Sequence, residues 1–163
     1  MSNDRRLWAP WRMTYIRGQS KEKGCIFCNR LKKSKKSDHK NLVLFRGKRA
    51  FVILNRFPYT SGHLMVAPIQ HVAKIEELDS QTSCEIFELI QRSIVALKKA
   101  FSPSGFNVGA NLGECAGAGI KDHLHFHIVP RWAGDTNFMP VIGDIRVVSQ
   151  DLKETYNELI KVF

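Results

Sequence analysis

Three histidines spaced two residues apart, His123, His125 and His127, are the side chains of this sequence best placed to do chemistry. Leu124, Phe126 and Ile128 alternate with them, and Pro130 follows. A period of two on a β-strand sends the imidazoles to one face and the apolar side chains to the other. Rings two residues apart then stand roughly 6.5 to 7 Å from each other, a row along one substrate rather than a cluster around one atom. Pro130 is expected to close the strand. Such a row can be the solvent face of an edge strand, or it can supply imidazole ligands to a metal. Alternatively its central ring can attack phosphorus and carry a phosphoryl or nucleotidyl group between two displacements.

A second group is Cys25-Ile26-Phe27-Cys28, in a chain whose other cysteines are Cys84 and Cys115. In a reducing compartment this spacing reads as metal-binding or redox-active rather than as a structural disulfide. A thioredoxin-like site would sit between a strand and a helix, and the Lys-rich surroundings lack that pattern. No second Cys-x-x-Cys follows, so a zinc site needs histidines from elsewhere in the chain. Cys84, at the start of a helical pattern, is expected to be a small buried apolar side chain. Cys115 sits in a Gly-rich segment that offers no activating partner for a Cys–His nucleophile.

The elements that must position these groups can be read in order. Leu42 to Phe45 and Ala50 to Leu54 flank Arg46-Gly47-Lys48-Arg49 and predict a hairpin. Asn55 to Gly62 is a loop punctuated by Pro58 and Gly62, and His63 to Pro68 a buried strand. Asp79 or Ser80 caps a long helix in which Ile86, Phe87, Leu89, Ile90, Ile94 and Leu97 recur at helical spacing, a core-packing pattern. Gly105, Gly109, Gly113, Gly117 and Gly119 crowd the segment before the histidine row. A strand from Phe106 to Asn111 should therefore run into a loop whose backbone N–H groups can approach an anion. Without Gly-Lys-Ser/Thr it is not a Walker loop.

Val141 to Val148 predicts one more strand, and Gln150 to Phe163 a terminal helix with Leu152, Tyr156, Leu159 and Ile160 on one face. The first twenty residues, with Trp8, Trp11 and Tyr15, predict an arm packed on the body or on another subunit. Short alternating strands joined by hairpins, with one long and one terminal helix, form an α+β pattern on an antiparallel sheet.

The sequence resembles the histidine triad (HIT) family of nucleotide hydrolases and transferases, whose signature is His-x-His-x-His followed by apolar residues. The likeness extends to Asn55-Arg56-Phe57-Pro58-Tyr59-Thr60-Ser61-Gly62-His63 with Pro68 and His71, and to Gly105-Phe106-Asn107-Val108-Gly109-Ala110-Asn111-Leu112-Gly113. The opening Leu7-Trp8-Ala9-Pro10-Trp11-Arg12-Met13 and the stretch from Trp132 to Val148 are similar to the bacterial branch related to diadenosine tetraphosphate phosphorylases. The resemblance implies a single HIT-like domain over residues 1–163, with 1–24 as an N-terminal arm and 133–163 as a C-terminal extension. It also implies a homodimer with a sheet continuous across subunits.

Site residues follow from the same resemblance. His125 is the nucleophile that forms a nucleotidyl-histidine, with a backbone carbonyl fixing its tautomer. His127 contacts phosphate oxygens and the leaving group, and His123 is the first triad residue. His63 either orders the triad from a neighbouring strand or serves the scaffold alone. Asn55 stands at the ribose-binding position and Asn111 at a phosphate-binding one. Many relatives carry Gln or Ser shortly before the first triad histidine; here Ala118-Gly119-Ile120 departs from that pattern, and backbone N–H groups around Gly119 are the available substitute. In zinc-bearing relatives the knuckle is completed by two histidines, here His71 and His123, which with Cys25 and Cys28 imply a structural zinc and no organic cofactor. The implied substrates are dinucleoside polyphosphates, with nucleoside phosphoramidate hydrolysis and a non-catalytic nucleotide-binding module as alternatives.

Composition agrees with an anionic substrate. Twenty-five Lys and Arg against fifteen Asp and Glu give a net charge of +10, which attracts anions at long range. Much of the excess lies in Arg30, Lys32, Lys33, Lys35, Lys36 and Lys40, with no aromatic interleaved. A single-strand nucleic-acid platform needs such aromatics, so nucleotide chemistry is favoured over nucleic-acid binding. There is no apolar run of membrane-spanning length and no signal-like segment after the polar start, so a cytoplasmic location without membrane partners is expected.

Overall fold

The computed structural model describes residues 23–135 and 150–163. The N-terminal arm and the strand expected from Val141 to Val148 lie outside the described residues. Helix α1 is Ile26–Leu31, a single 3-10 turn covers Lys35–Ser37, and α2 is Asp38–Asn41. Strands β1 (Val43–Arg46) and β2 (Ala50–Leu54) form the expected hairpin, followed by β3 (Leu64–Pro68). A 3-10 turn at Ile75–Glu77 leads into helix α3 (Ser80–Phe101), then β4 (Gly105–Gly109), β5 (Phe126–Arg131) and helix α4 (Leu152–Leu159). The strands form one antiparallel sheet in the order β1-β2-β3-β5-β4. The fold is α+β, as expected.

Every residue of β2 and β3 is buried, because both sheet faces are covered. On one face Ala50, Val52, Leu54, Leu64, Val66 and Ile128 pack against Ile86, Leu89, Ile90 and Leu97 of α3 and Tyr156 and Leu159 of α4. On the other, Val43, Phe51, Ile53, Met65 and Ala67 receive Phe27 from α1. The register pairs Met65 with His127 and Leu64 with Ile128, so the imidazole of His127 shares the second face. Asp79 caps α3 as expected, its side chain accepting from the Thr82 N–H at 2.8 Å.

The structure corrects four expectations. The strand begins at Phe126, so His123 and His125 belong to the approach to β5 rather than to β5 itself. Pro130 does not close it: β5 continues to Arg131, with Pro130 opposite Phe106. Strand β3 reaches only as far as Ile128, and the Pro130 carbonyl is met by the Thr60 hydroxyl at 2.9 Å, so no ladder N–H is required there. Cys84 and Phe87 are exposed, Phe87 by 62%, because they fall off the buried stripe of α3. Ile160 is likewise exposed beyond the end of α4. Among the described residues, no helix is long and apolar enough to cross a membrane.

Candidate functional site

The second sheet face carries two adjoining constellations. The first brings together the knuckle and two distant histidines. Cys25 and Cys28 Sγ lie 3.2 and 3.7 Å from His123 Nδ1, Cys28 Sγ is 3.4 Å from His71 Nδ1, and the two Nδ1 atoms are 3.1 Å apart. Zinc with Zn–S of about 2.3 Å and Zn–N of about 2.0–2.1 Å in a tetrahedron sets donor–donor edges of roughly 3.3–3.8 Å, close to these spacings. The four donor atoms all fall within 4.8 Å of one another, so the group fits a metal ion. The far nitrogen of His123, Nε2, lies 2.9 Å from the Pro68 carbonyl; donating there leaves the Nδ1 lone pair toward the sulfurs. Burial pushes the Cys28 thiol up, and Cys25 beside it adds to the effect.

His123 is fully buried, with Phe27 edge-on at 5.1 Å between ring centroids. The same Phe27 ring meets His125 at 5.2 Å. The knuckle helix thus props the first two imidazoles while its cysteines hold the first of them. Leu124 between them is buried and donates its N–H to the Val72 carbonyl at 2.7 Å.

The second constellation is a chain of imidazoles whose protons can be assigned. The Tyr59 N–H donates to His63 Nδ1 at 3.1 Å, and the Asn55 amide approaches the same nitrogen at 3.2 Å. That nitrogen is therefore an acceptor, and the proton of His63 resides on Nε2. His63 Nε2 lies 2.9 Å from His127 Nδ1, which must accept, leaving His127 with its own proton on Nε2. His125 is fixed in the opposite sense to present a lone pair. Its Nδ1 is 2.9 Å from the His123 carbonyl, so it donates there and Nε2 is unprotonated. The rings of His125 and His127 meet edge-on with centroids 4.8 Å apart. A nucleophilic nitrogen and an N–H donor thus stand side by side.

Burial keeps all three triad rings uncharged. His123 and His125 are shifted below the ordinary histidine value chiefly by desolvation. His127 is pushed down to about 4 by desolvation and then by the proximity of His125. A neutral His125 is a nucleophile at neutral pH; a neutral His127 is a hydrogen-bond donor whose basicity rises when a polyphosphate brings negative charge beside it.

Gly62 sets the entry to His63. It has φ of +78°, and a Cβ there would come within 3.0 Å of Leu97 Cδ2, so both conformation and space call for glycine. The other substrate candidates are half-buried or exposed. Asn55 Oδ1 accepts the Phe57 N–H at 2.9 Å, shaping the loop. Asn111 Nδ2 donates to the Gly117 carbonyl at 3.3 Å, and Gly119 is exposed on the same loop. Sequence alone predicts no role for the Phe27 ring, the Pro68 carbonyl or the Tyr59 N–H. Phe27 lies inside the Cys-x-x-Cys itself, which was the available signal; the other two act through backbone groups, for which residue type carries none.

The HIT domain family profile matches residues 36–134. The AP-4-A phosphorylase of Mycobacterium tuberculosis (strain H37Rv) is 39% identical over 155 residues, covering 92% of this chain and 80% of that protein. An adenosine 5'-monophosphoramidase of Schizosaccharomyces pombe is 34% identical over 107 residues, 66% of this chain and 74% of that protein. Among solved structures, a Zn-bound histidine triad family protein from Mycobacterium smegmatis superimposes with a TM-score of 0.61 at 24% identity, covering 74% of this chain and 82% of the other; it shares the fold.

Proposed function

We propose, from the premise that this chain belongs to the HIT domain family and is a HIT-type nucleotide-processing enzyme, that it cleaves dinucleoside polyphosphates through a nucleotidyl-histidine. The observation that carries the reading is the opposite tautomers of adjacent imidazoles: a His125 Nε2 lone pair beside a His127 Nε2–H. The His125 nitrogen forms a bond to the α-phosphorus while the bridging P–O bond breaks. His127 donates to the phosphoryl and leaving oxygens, and His63 holds it in the donating tautomer. An oxygen of orthophosphate or water then bonds to the phosphorus as the P–N bond breaks, releasing a nucleoside diphosphate or monophosphate and returning the lone pair to His125 Nε2.

Around that centre, Asn55 Oδ1 keeps a second lone pair for a ribose hydroxyl, Asn111 keeps an N–H for phosphate, and backbone around Gly119 serves as an anion contact. Cys25, Cys28, His71 and His123 would hold a zinc ion, which would staple the N-terminal loop to the triad in a structural rather than catalytic role. The chain is read as one domain over 1–163, with arm 1–24 and extension 133–163, acting as a cytoplasmic homodimer. The net charge of +10 favours such polyanionic substrates.

The deciding experiment gives purified protein diadenosine tetraphosphate with and without orthophosphate, beside His125→Ala. ADP and ATP appearing only with phosphate establish phosphorolysis; AMP and ATP without it establish hydrolysis. No turnover of the dinucleotide, with wild type and variant alike, overturns the reading. The similarity to a monophosphoramidase supports a second reading, nucleoside phosphoramidate hydrolysis, which the same assay tests with adenosine 5'-phosphoramidate.

A further inference from the structure

Tyr59 contributes to the site twice, by backbone and by ring. Its N–H fixes His63 at 3.1 Å. Its ring stacks on His127, with centroids 6.0 Å apart and planes at 29°, and tilts against His63 at 4.5 Å. The aromatic contacts run in succession from His125 to His127 and on to His63 and Tyr59. His63 is fully buried, whereas Tyr59 is 42% exposed, so the phenol ring caps this row and offers surface to solvent.

We infer that the Tyr59 ring determines leaving-group specificity by stacking against the second nucleoside of a dinucleoside polyphosphate; this rests on the function proposed above. In-line displacement at phosphorus puts the leaving oxygen opposite the attacking nitrogen of His125. His127 meets that oxygen, and the departing phosphates continue past His127, where Tyr59 stands. An aromatic ring there accepts any base through its π-face and needs no hydrogen-bond code. The exposed ring thus distinguishes a leaving group that carries a nucleobase from one that ends in phosphate.

The test compares diadenosine tetraphosphate with adenosine 5'-tetraphosphate, which has the same four phosphates and lacks only the second nucleoside. Wild type, Tyr59→Ala and Tyr59→Phe are assayed for kcat/KM on both. On a His125→Ala background, the Kd of each nucleotide is measured by calorimetry with and without Tyr59→Ala. Both substitutions keep the backbone N–H that orients His63, so the comparison isolates the ring. The expected result is a roughly five- to thirtyfold loss of preference for the dinucleotide in Tyr59→Ala, the lower part of the range for base–aromatic stacking. The loss lies mainly in KM and in Kd, and Tyr59→Phe restores it. Equal losses on both nucleotides would show that the ring merely props His63 and His127, and an unchanged preference would show that it does not touch the second nucleoside; either overturns the inference while leaving dinucleotide cleavage standing. A wild type inert toward the dinucleotide overturns both.

Discussion

The two faces of the sheet use alternate residues of the same strands, yet they are covered by unlike means. Behind Val52, Leu54, Leu64 and Val66 stand the 22-residue α3 and the 8-residue α4. Behind Phe51, Ile53 and Met65 stands the 6-residue α1 with one buried Phe27, and beyond it the surface is imidazole. The helix-backed face can hold its shape by apolar burial, which is non-directional and tolerant. On the imidazole face, among the described residues, the apolar cover centred on Phe27 is joined by directed contacts: four converging metal-ligand atoms and a chain of assigned hydrogen bonds. Stability and chemistry are thereby assigned to opposite sides of one sheet. Perturbing either side should leave a signature the other does not share.

The largest expected effect is on the imidazole face. His125→Ala should lower turnover by about 10⁴-fold or more, since it removes the atom that forms the covalent intermediate. Its thermal midpoint should stay near wild type, because among the described residues the His125 side chain hydrogen-bonds to the neighbouring His123 carbonyl and otherwise makes ring contacts with Phe27 and His127. A variant that unfolds instead would break the division between faces. Next comes metal removal. Chelation should lower stability by about 4 kcal/mol if the ion is present at a thousand times its Kd, with release read by a zinc indicator and unfolding by calorimetry. A midpoint indifferent to chelator would mean that contacts other than the four ligands hold α1 in place.

A smaller change is expected from Ile86→Ala on the opposite face, where the side chain is 1% exposed against the aliphatic cluster. It should cost about 3 kcal/mol in chemical denaturation, the usual loss for a large-to-small change in a core. The folded variant should keep its metal content and its kcat. A matching fall in kcat would sharpen the comparison differently, by showing that strain passes through β3 to His63.

How much of this was legible in the sequence differs between the faces. The helix-backed face was read well from spacing, as in Asp79 capping α3 and Ile86, Leu89, Ile90 and Leu97 facing the core. Spacing locates the stripe but not its width, which is why it predicts Phe87, Cys84 and Ile160 on the buried side while the fold exposes them. Alternation likewise sorted His127 from Phe126 and Ile128. It could not reveal that β3 ends opposite Ile128, the fact that lets Pro130 remain inside β5. The metal-ligand group was reachable from motif resemblance. The proton assignment was not, because it depends on a backbone N–H at Tyr59 and on a contact between His63 and His127, sixty-four positions apart.

Acid should separate the faces by the pH at which each yields. His127 titrates at about 4 in the fold against an ordinary value of 6.5, so the unfolded chain binds the proton more readily. Its contribution to stability is complete above 6.5 and is lost as pH falls from there toward about 4. Asp79 is held below its ordinary 3.8 first by the Thr82 hydroxyl and then by the Thr82 N–H, so its contribution is complete above 3.8 and is lost only as pH falls through its folded value. Urea unfolding at closely spaced pH values should therefore show the imidazole face weakening first and the cap of α3 later. Substituting His127→Gln should make the upper window shallower, with His123 and His125 supplying the remainder, and leave the lower one, while Asp79→Asn should do the reverse. If both variants altered the same window, the two sides of the sheet would be electrostatically coupled, and the separation of chemistry from scaffold would hold for packing but not for charge.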